Sequence, residues 1–144
     1  TTGVLMIIEN NKCHFGWVGD SRAYSLKNNI LMQETIDNTM IQELVNKGAI
    51  TPEAAKKANT KNLLSQAIGV REKISVDTKT IAINQGDIIM LSTDGLHDYL
   101  SEQEIKQYVA SSPTENNICH DMIYRAMAQN SRDNLTVGLV SLTE

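Results

Sequence analysis

Short apolar runs separated by polar pairs dominate the first quarter of the chain. Val4 to Glu9 closes on Asn10 and Asn11, Lys12 to Val18 resumes with hydrophobes and aromatics, and together they predict a hairpin with an Asn-Asn turn. After Gly19 and Asp20, Ser21 to Lys27 and Ile30 to Gln33 flank a second such turn at Asn28 and Asn29. Strands so closely spaced predict an antiparallel meander, because parallel pairing requires long crossovers. At Thr39 the period changes. Met40, Ile41, Leu44 and Val45 recur at helical spacing behind a threonine cap, with Gly48 as a stop. Thr51 and Pro52 open a second short helix through Ala58, and the exposed Lys56 and Lys57 read as its solvated face. The two helices predict a surface flap at about 37–62.

Strand signals return at Ser75 to Ile83, and the turn Asn84 to Asp87 leads into Ile88 to Leu91, an apolar run of the length of a buried strand. Ser101 to Ala110 carries a capping box, with Glu104 three residues after Ser101. Thr114 to Gln129 places Ile118, Met122, Ile123 and Met127 on one helical face, and a last strand, Leu135 to Leu142, follows the polar turn Ser131 to Asn134. Strands, flap, strands, helix pair and strand make an α+β architecture, with helices packed on antiparallel sheet.

A chain of 144 residues with 41% hydrophobic content can bury one real core. Its net charge of −4 and absence of a basic stripe argue against a nucleic-acid partner. No apolar stretch approaches the ~20 residues of a membrane span, and the N-terminus lacks the pattern of a signal peptide. The expectation is a soluble, cytoplasmic protein without a membrane partner. Cys13 and Cys119 each precede a histidine, His14 and His120, but adjacent Cys-His pairs do not match the ligand spacing of structural zinc sites. Thr1 and Thr2 run without a methionine almost directly into an apolar segment, so the chain is expected to begin inside a fold.

Chemistry concentrates in aspartates. Asp20, Asp94, Asp98 and Asp133 each lie in a turn touching the end of a predicted strand. A carboxylate committed to such a place requires a cation, a basic partner or hydrogen-bond donors, and Mg2+ and Mn2+ take a few such oxygens and keep several waters. Each aspartate also has a local alternative. Asp98 is placed to prepare the helix at Ser101, Asp20 to pair with Arg22, and Asp133 to pair with Arg132.

GWVGDSRAY at Gly16 to Tyr24, STDGLHD at Ser92 to Asp98 and SRDNLTV at Ser131 to Val137 resemble, in order and approximate spacing, the metal-dependent serine/threonine phosphatases of the PPM (type 2C) family. Gln42 to Ala55 is similar to the flap of bacterial members, and Leu63 to Gly69 to the segment just after that flap. The resemblance implies part of an αββα sandwich, antiparallel sheets flanked by helices, with two Mn2+ or Mg2+ ions between the sheets. It implies that Asp94 and Asp133 ligate the metal pair, and that Asp20 and Asp98, with Asp94, hold a third, weaker ion. A metal-activated water would then attack a phosphoserine or phosphothreonine of a protein substrate, with no phosphoenzyme.

The family's first half supplies a metal-bridging aspartate and a phosphate-gripping arginine, and neither motif occurs here. By the resemblance the chain is therefore a C-terminal part, inactive as a fragment alone, and none of its residues is assigned as catalytic beyond the metal ligands. Its alternative is a non-catalytic, pseudophosphatase-like binding module. Asn38 stands where many bacterial relatives carry histidine. The apolar segment Val4 to Ile8 is expected to be left open, for the N-terminal part of the same domain or for self-association.

Overall fold

The computed structural model describes residues 1–56, 58, 63–111 and 117–142. Both Asn-Asn pairs adopt left-handed backbone, with φ of 48° and 58° at Asn10 and Asn11 and 48° and 61° at Asn28 and Asn29. These are the angles of a tight hairpin turn, which asparagine tolerates better than most side chains. The first turn joins β1 (Gly3–Glu9) to β2 (Lys12–Val18), and the second joins β3 (Arg22–Lys27) to β4 (Ile30–Gln33).

The two hairpins do not form one meander. β1 and β2 belong to a three-stranded sheet of order β1-β2-β5, and β3 and β4 to a four-stranded sheet of order β4-β3-β6-β7. Here β5 is Asp77–Ala82, β6 is Ile88–Ser92 and β7 is Val137–Ser141, all pairing antiparallel. The chain changes sheets at Gly19, whose φ of +104° only glycine adopts cheaply, and a Cβ there would lie 2.3 Å from Thr2 Cγ2. Strand spacing in the sequence is blind to such a switch, because hairpin turns and inter-sheet turns use the same residue types.

Two hydrophobic cores result. Between the sheets lie Cys13, Phe15, Trp17, Ala23, Ile83 and Ile89. On the far face of the larger sheet, Tyr24, Leu26, Ile88 and Met90 pack against α4 (Glu102–Ser111) and α5 (Ile118–Ala128), which contribute Ile105, Val109, Ile118, Met122 and Ala126. Strand β6 serves both cores, alternating Ile88 and Met90 toward the helices with Ile89 toward the other sheet. Hence its uninterrupted apolar run. The buried stripe of α5 is Ile118, Met122 and Ala126, so Met127, 53% exposed, is not part of it. The predicted start of that helix, Thr114 to Asn116, lies outside the described residues.

A polar strut joins the sheets: Glu34, buried, accepts a hydrogen bond from Ser25 Oγ at 2.5 Å and stands 2.7 Å from Lys79 Nζ on β5. The outer face of the smaller sheet is open, with Leu5 55% and Ile7 58% exposed. Between β4 and β5 the chain makes a helical excursion, α1 (Met40–Asn46) and α2 (Pro52–Lys56). Thr39 Oγ1 caps α1 by accepting from Gln42 N–H, and Thr51 Oγ1 does the same for Ala54 N–H. Its two roots meet where Met40 N–H donates to Leu63 O and Ser65 N–H to Asn38 O. The α2 helix ends at Lys56; the Lys56 side chain, Lys57 and Asn59 to Asn62 lie outside the described residues.

Candidate metal centre

At the end of β6 the chain enters a single helical turn, α3 (Asp94–His97), where the sequence predicts only a turn. Asp94 Oδ1 accepts from Gly95 N–H at 2.9 Å. Gly95 is buried against the segment before β7: a Cβ on it would lie 2.5 Å from Asn134 O and 3.3 Å from Asp133 Cβ. That close approach brings the STDGLHD and SRDN segments together. Ser131 Oγ donates to Gly95 O at 2.8 Å, and Thr93 Oγ1 donates to Asn134 O and accepts from Thr136 N–H. Asp133, exposed, accepts from the Asn134 N–H.

Asp20 reaches the same place from the β2–β3 switch. With Asp94 and Asp98 it lines a cavity of about 390 Å³ whose opposite wall is α1 and α2, through Ile41, Val45, Pro52 and Ala55. The carboxylates act on one another. Burial, then the negative charge of Asp94, with Asp37 and Asp98 adding to it, pushes the Asp20 carboxyl up to about 6. Asp94 is also raised, by burial first and then by Asp133 and Asp98, against the pull of the Gly95 N–H. Asp94 is thus the common neighbour: its charge acts on Asp20, while Asp98 and Asp133 act on it.

Oxygen donors of this kind suit a hard divalent cation. Among the described residues, however, no three His, Cys, Asp or Glu groups stand close enough to hold one ion. The donor set is therefore partial, right in chemistry and short in number.

Several neighbours were not legible in sequence. Arg22 pairs with Asp37 rather than Asp20: Nη2 lies 2.6 Å from Asp37 Oδ2 and Nε 2.9 Å from Oδ1, while Nη1 donates to Tyr24 Oη. Gln33 Nε2 also donates to Asp37. His97, buried, lines the cavity with Nδ1 3.0 Å from Ser92 Oγ. Asp98 closes α3 as its C-cap, whereas the capping box of α4 is made by Ser101 and Glu104 themselves. Cys13 and Cys119 are both free, one packed in β2 and one on α5, in different layers of the fold.

No protein-family model matches the chain. It is 35% identical over 140 residues to the serine/threonine phosphatase stp of Listeria monocytogenes, an alignment that covers 97% of this chain and 56% of that protein. The crystal structure of the Mycobacterium tuberculosis serine/threonine phosphatase PstP/Ppp superposes with a TM-score of 0.92 at 29% identity, covering 99% of this chain and 60% of the other. The chain resembles the PPM phosphatases along nearly its whole length. It corresponds to the C-terminal part of these relatives and spans a little over half their length. A structure of the catalytic domain of PstP in complex with two manganese ions aligns with a TM-score of 0.84 at 28% identity over 99% of this chain and 59% of that one. The antiparallel sheets and flanking helices of this chain match those of the PPM phosphatase structures.

Proposed function

We propose that this chain contributes part of the metal centre of a protein serine/threonine phosphatase, with Asp94, Asp133, Asp20 and Asp98 as its ligands for Mn2+ or Mg2+. The observation that carries the reading is geometric: Asp20, Asp94 and Asp98 line one cavity edge and the Asp133 segment packs against Asp94 through Gly95, a gathering of like charge that a divalent cation relieves. A manganese pair in one relative points to the same chemistry. When bound, the metal supplies Lewis acidity and an activated water for in-line displacement at a phosphoserine or phosphothreonine.

The protein's own part is positional. Strand β6 and the Gly95 contact hold Asp94 against the Asp133 segment, and the Gly19 switch brings in Asp20. Arg22 is engaged by Asp37, so it buttresses the cavity rather than gripping a phosphate. The apolar residues of α1 and α2 form the flap wall that faces the acidic edge. Because no three donors converge among the described residues, the remaining ligands come from the rest of the family domain. Its seat is the open face carrying Leu5 and Ile7. The setting proposed is cytoplasmic, which the two free cysteines fit. Among the described residues no helix is long and apolar enough to cross a membrane.

Calorimetric titration with Mn2+ tests the reading. The 144-residue chain should bind Mn2+ weakly and Asp94→Asn should abolish the heat, while hydrolysis of a phosphothreonine peptide by the chain alone stays at background. A wild-type chain that takes up no Mn2+ would sink the metal assignment.

A further inference from the structure

Asn38 is 9% exposed and uses every polar atom it has. Its backbone N–H donates to Gly19 O at 2.9 Å, and its Oδ1 accepts from Gly19 N–H at 2.8 Å, a reciprocal pair on one residue. Its Nδ2 donates to Asp77 Oδ2 at 2.7 Å, at the start of β5. Its carbonyl accepts from Ser65 N–H at 2.9 Å, on the segment returning from α2. Three chain segments distant in sequence therefore meet on one side chain and its peptide.

Gly19 is the residue at which the chain changes sheets, and as a glycine at φ of +104° it has no side chain to restrict its own rotation. The next residue is Asp20. Rotation about the Gly19 Cα bonds swings the Asp20 carboxylate relative to Asp94 and Asp98, and the two bonds from Asn38 oppose it by holding both peptide units that flank that Cα. The same residue is the near root of the α1–α2 excursion, adjoining the Thr39 and Leu64 bridge. Asp77 in turn orients the amide: with Nδ2 committed to that carboxylate, Oδ1 is left to accept from Gly19.

We propose that Asn38 is a positioning residue for the metal centre: it fixes the Gly19–Asp20 turn so that Asp20 faces Asp94 and Asp98, and it ties that turn to the root of the flap. The proposal rests on the metal reading above. Asn38 touches no metal or substrate in this role. It acts through Gly19, as an outer partner that orients a ligand.

The test is Mn2+ titration of the chain and of variants in the Asn38–Asp77 pair. Asn38→Ala should weaken Mn2+ binding about tenfold, the scale at which outer-shell partners act. Asn38→Asp should weaken it as well, because two carboxylates then face each other where an amide met one. The double variant Asn38→Asp with Asp77→Asn reverses donor and acceptor, keeps the acceptor for Gly19 N–H, and should restore wild-type affinity. Metal-free melting and Trp17 emission separate the alternatives: a purely structural role lowers the midpoint of Asn38→Ala and leaves the Mn2+ affinity of the folded protein unchanged. That result, or a folded reversed pair that fails to recover affinity, overturns the proposal while the metal reading stands. Failure of the wild-type chain to bind Mn2+ removes both.

Discussion

At the scale of single residues, Asp20 has the clearest consequence. Its carboxyl stands at about 6 in the fold against 3.8 in ordinary surroundings, so the folded chain holds this proton more tightly than the unfolded one. Its contribution to metal-free stability is therefore greatest below about pH 4 and is lost as pH rises through about 6. Asp20→Asn should flatten that slope and leave the metal-free chain more stable than wild type at neutral pH, measured as melting midpoints from pH 4 to 7. With Mn2+ present the sign should reverse, since a cation and a proton compete for the same oxygens. Gly95 offers a second test. Gly95→Ala drives a methyl to 2.5 Å from the Asn134 carbonyl and should cost about 1–3 kcal/mol in denaturant unfolding. Gly138→Ala, with nothing within 4 Å of the added carbon, should stay within ~0.5 kcal/mol. The aspartates could be found in sequence because each lies in a turn beside a strand signal. The bonds of Asp37 to Arg22 and of Asn38 to Asp77 could not, because the partners lie 15 and 39 residues away in the chain.

Elements were more legible than their assembly. The Asn-Asn turns, the Thr39 and Thr51 caps and the Ser101–Glu104 box all appear where local chemistry placed them. Local signals carry no information on partner choice, so the division of the two hairpins between two sheets, and the helical turn after Asp94, had to come from tertiary contacts. The α4 cap is also a junction: Glu104 accepts from Ser101 at one carboxylate oxygen and from Arg125 and Gln129 of the neighbouring helix segment at the other. These bonds hold its carboxyl down at about 2, the Ser101 backbone N–H contributing most. Its stabilisation is present above the usual carboxylate range and is lost as pH falls toward 2. Ser101→Ala should cost about 1 kcal/mol in denaturant unfolding, the usual cost of losing a hydroxyl cap.

For the molecule as a whole, β6 sets the behaviour. A strand whose alternate residues belong to different cores gives neither core a boundary of its own: separating the sheets withdraws Ile89, and peeling off the helices withdraws Ile88 and Met90 from the same backbone. Trp17, the single tryptophan, sits in the inter-sheet core, whereas far-UV circular dichroism is dominated by α4 and α5 on the other side. Trp17 fluorescence and the helical signal should therefore lose their native values along one superimposable denaturation curve. Two curves with separate midpoints would mean that the layers melt independently. Shared ownership of one strand makes the acidic edge all-or-none, since Asp94 stands at the end of a strand that both layers must surrender together.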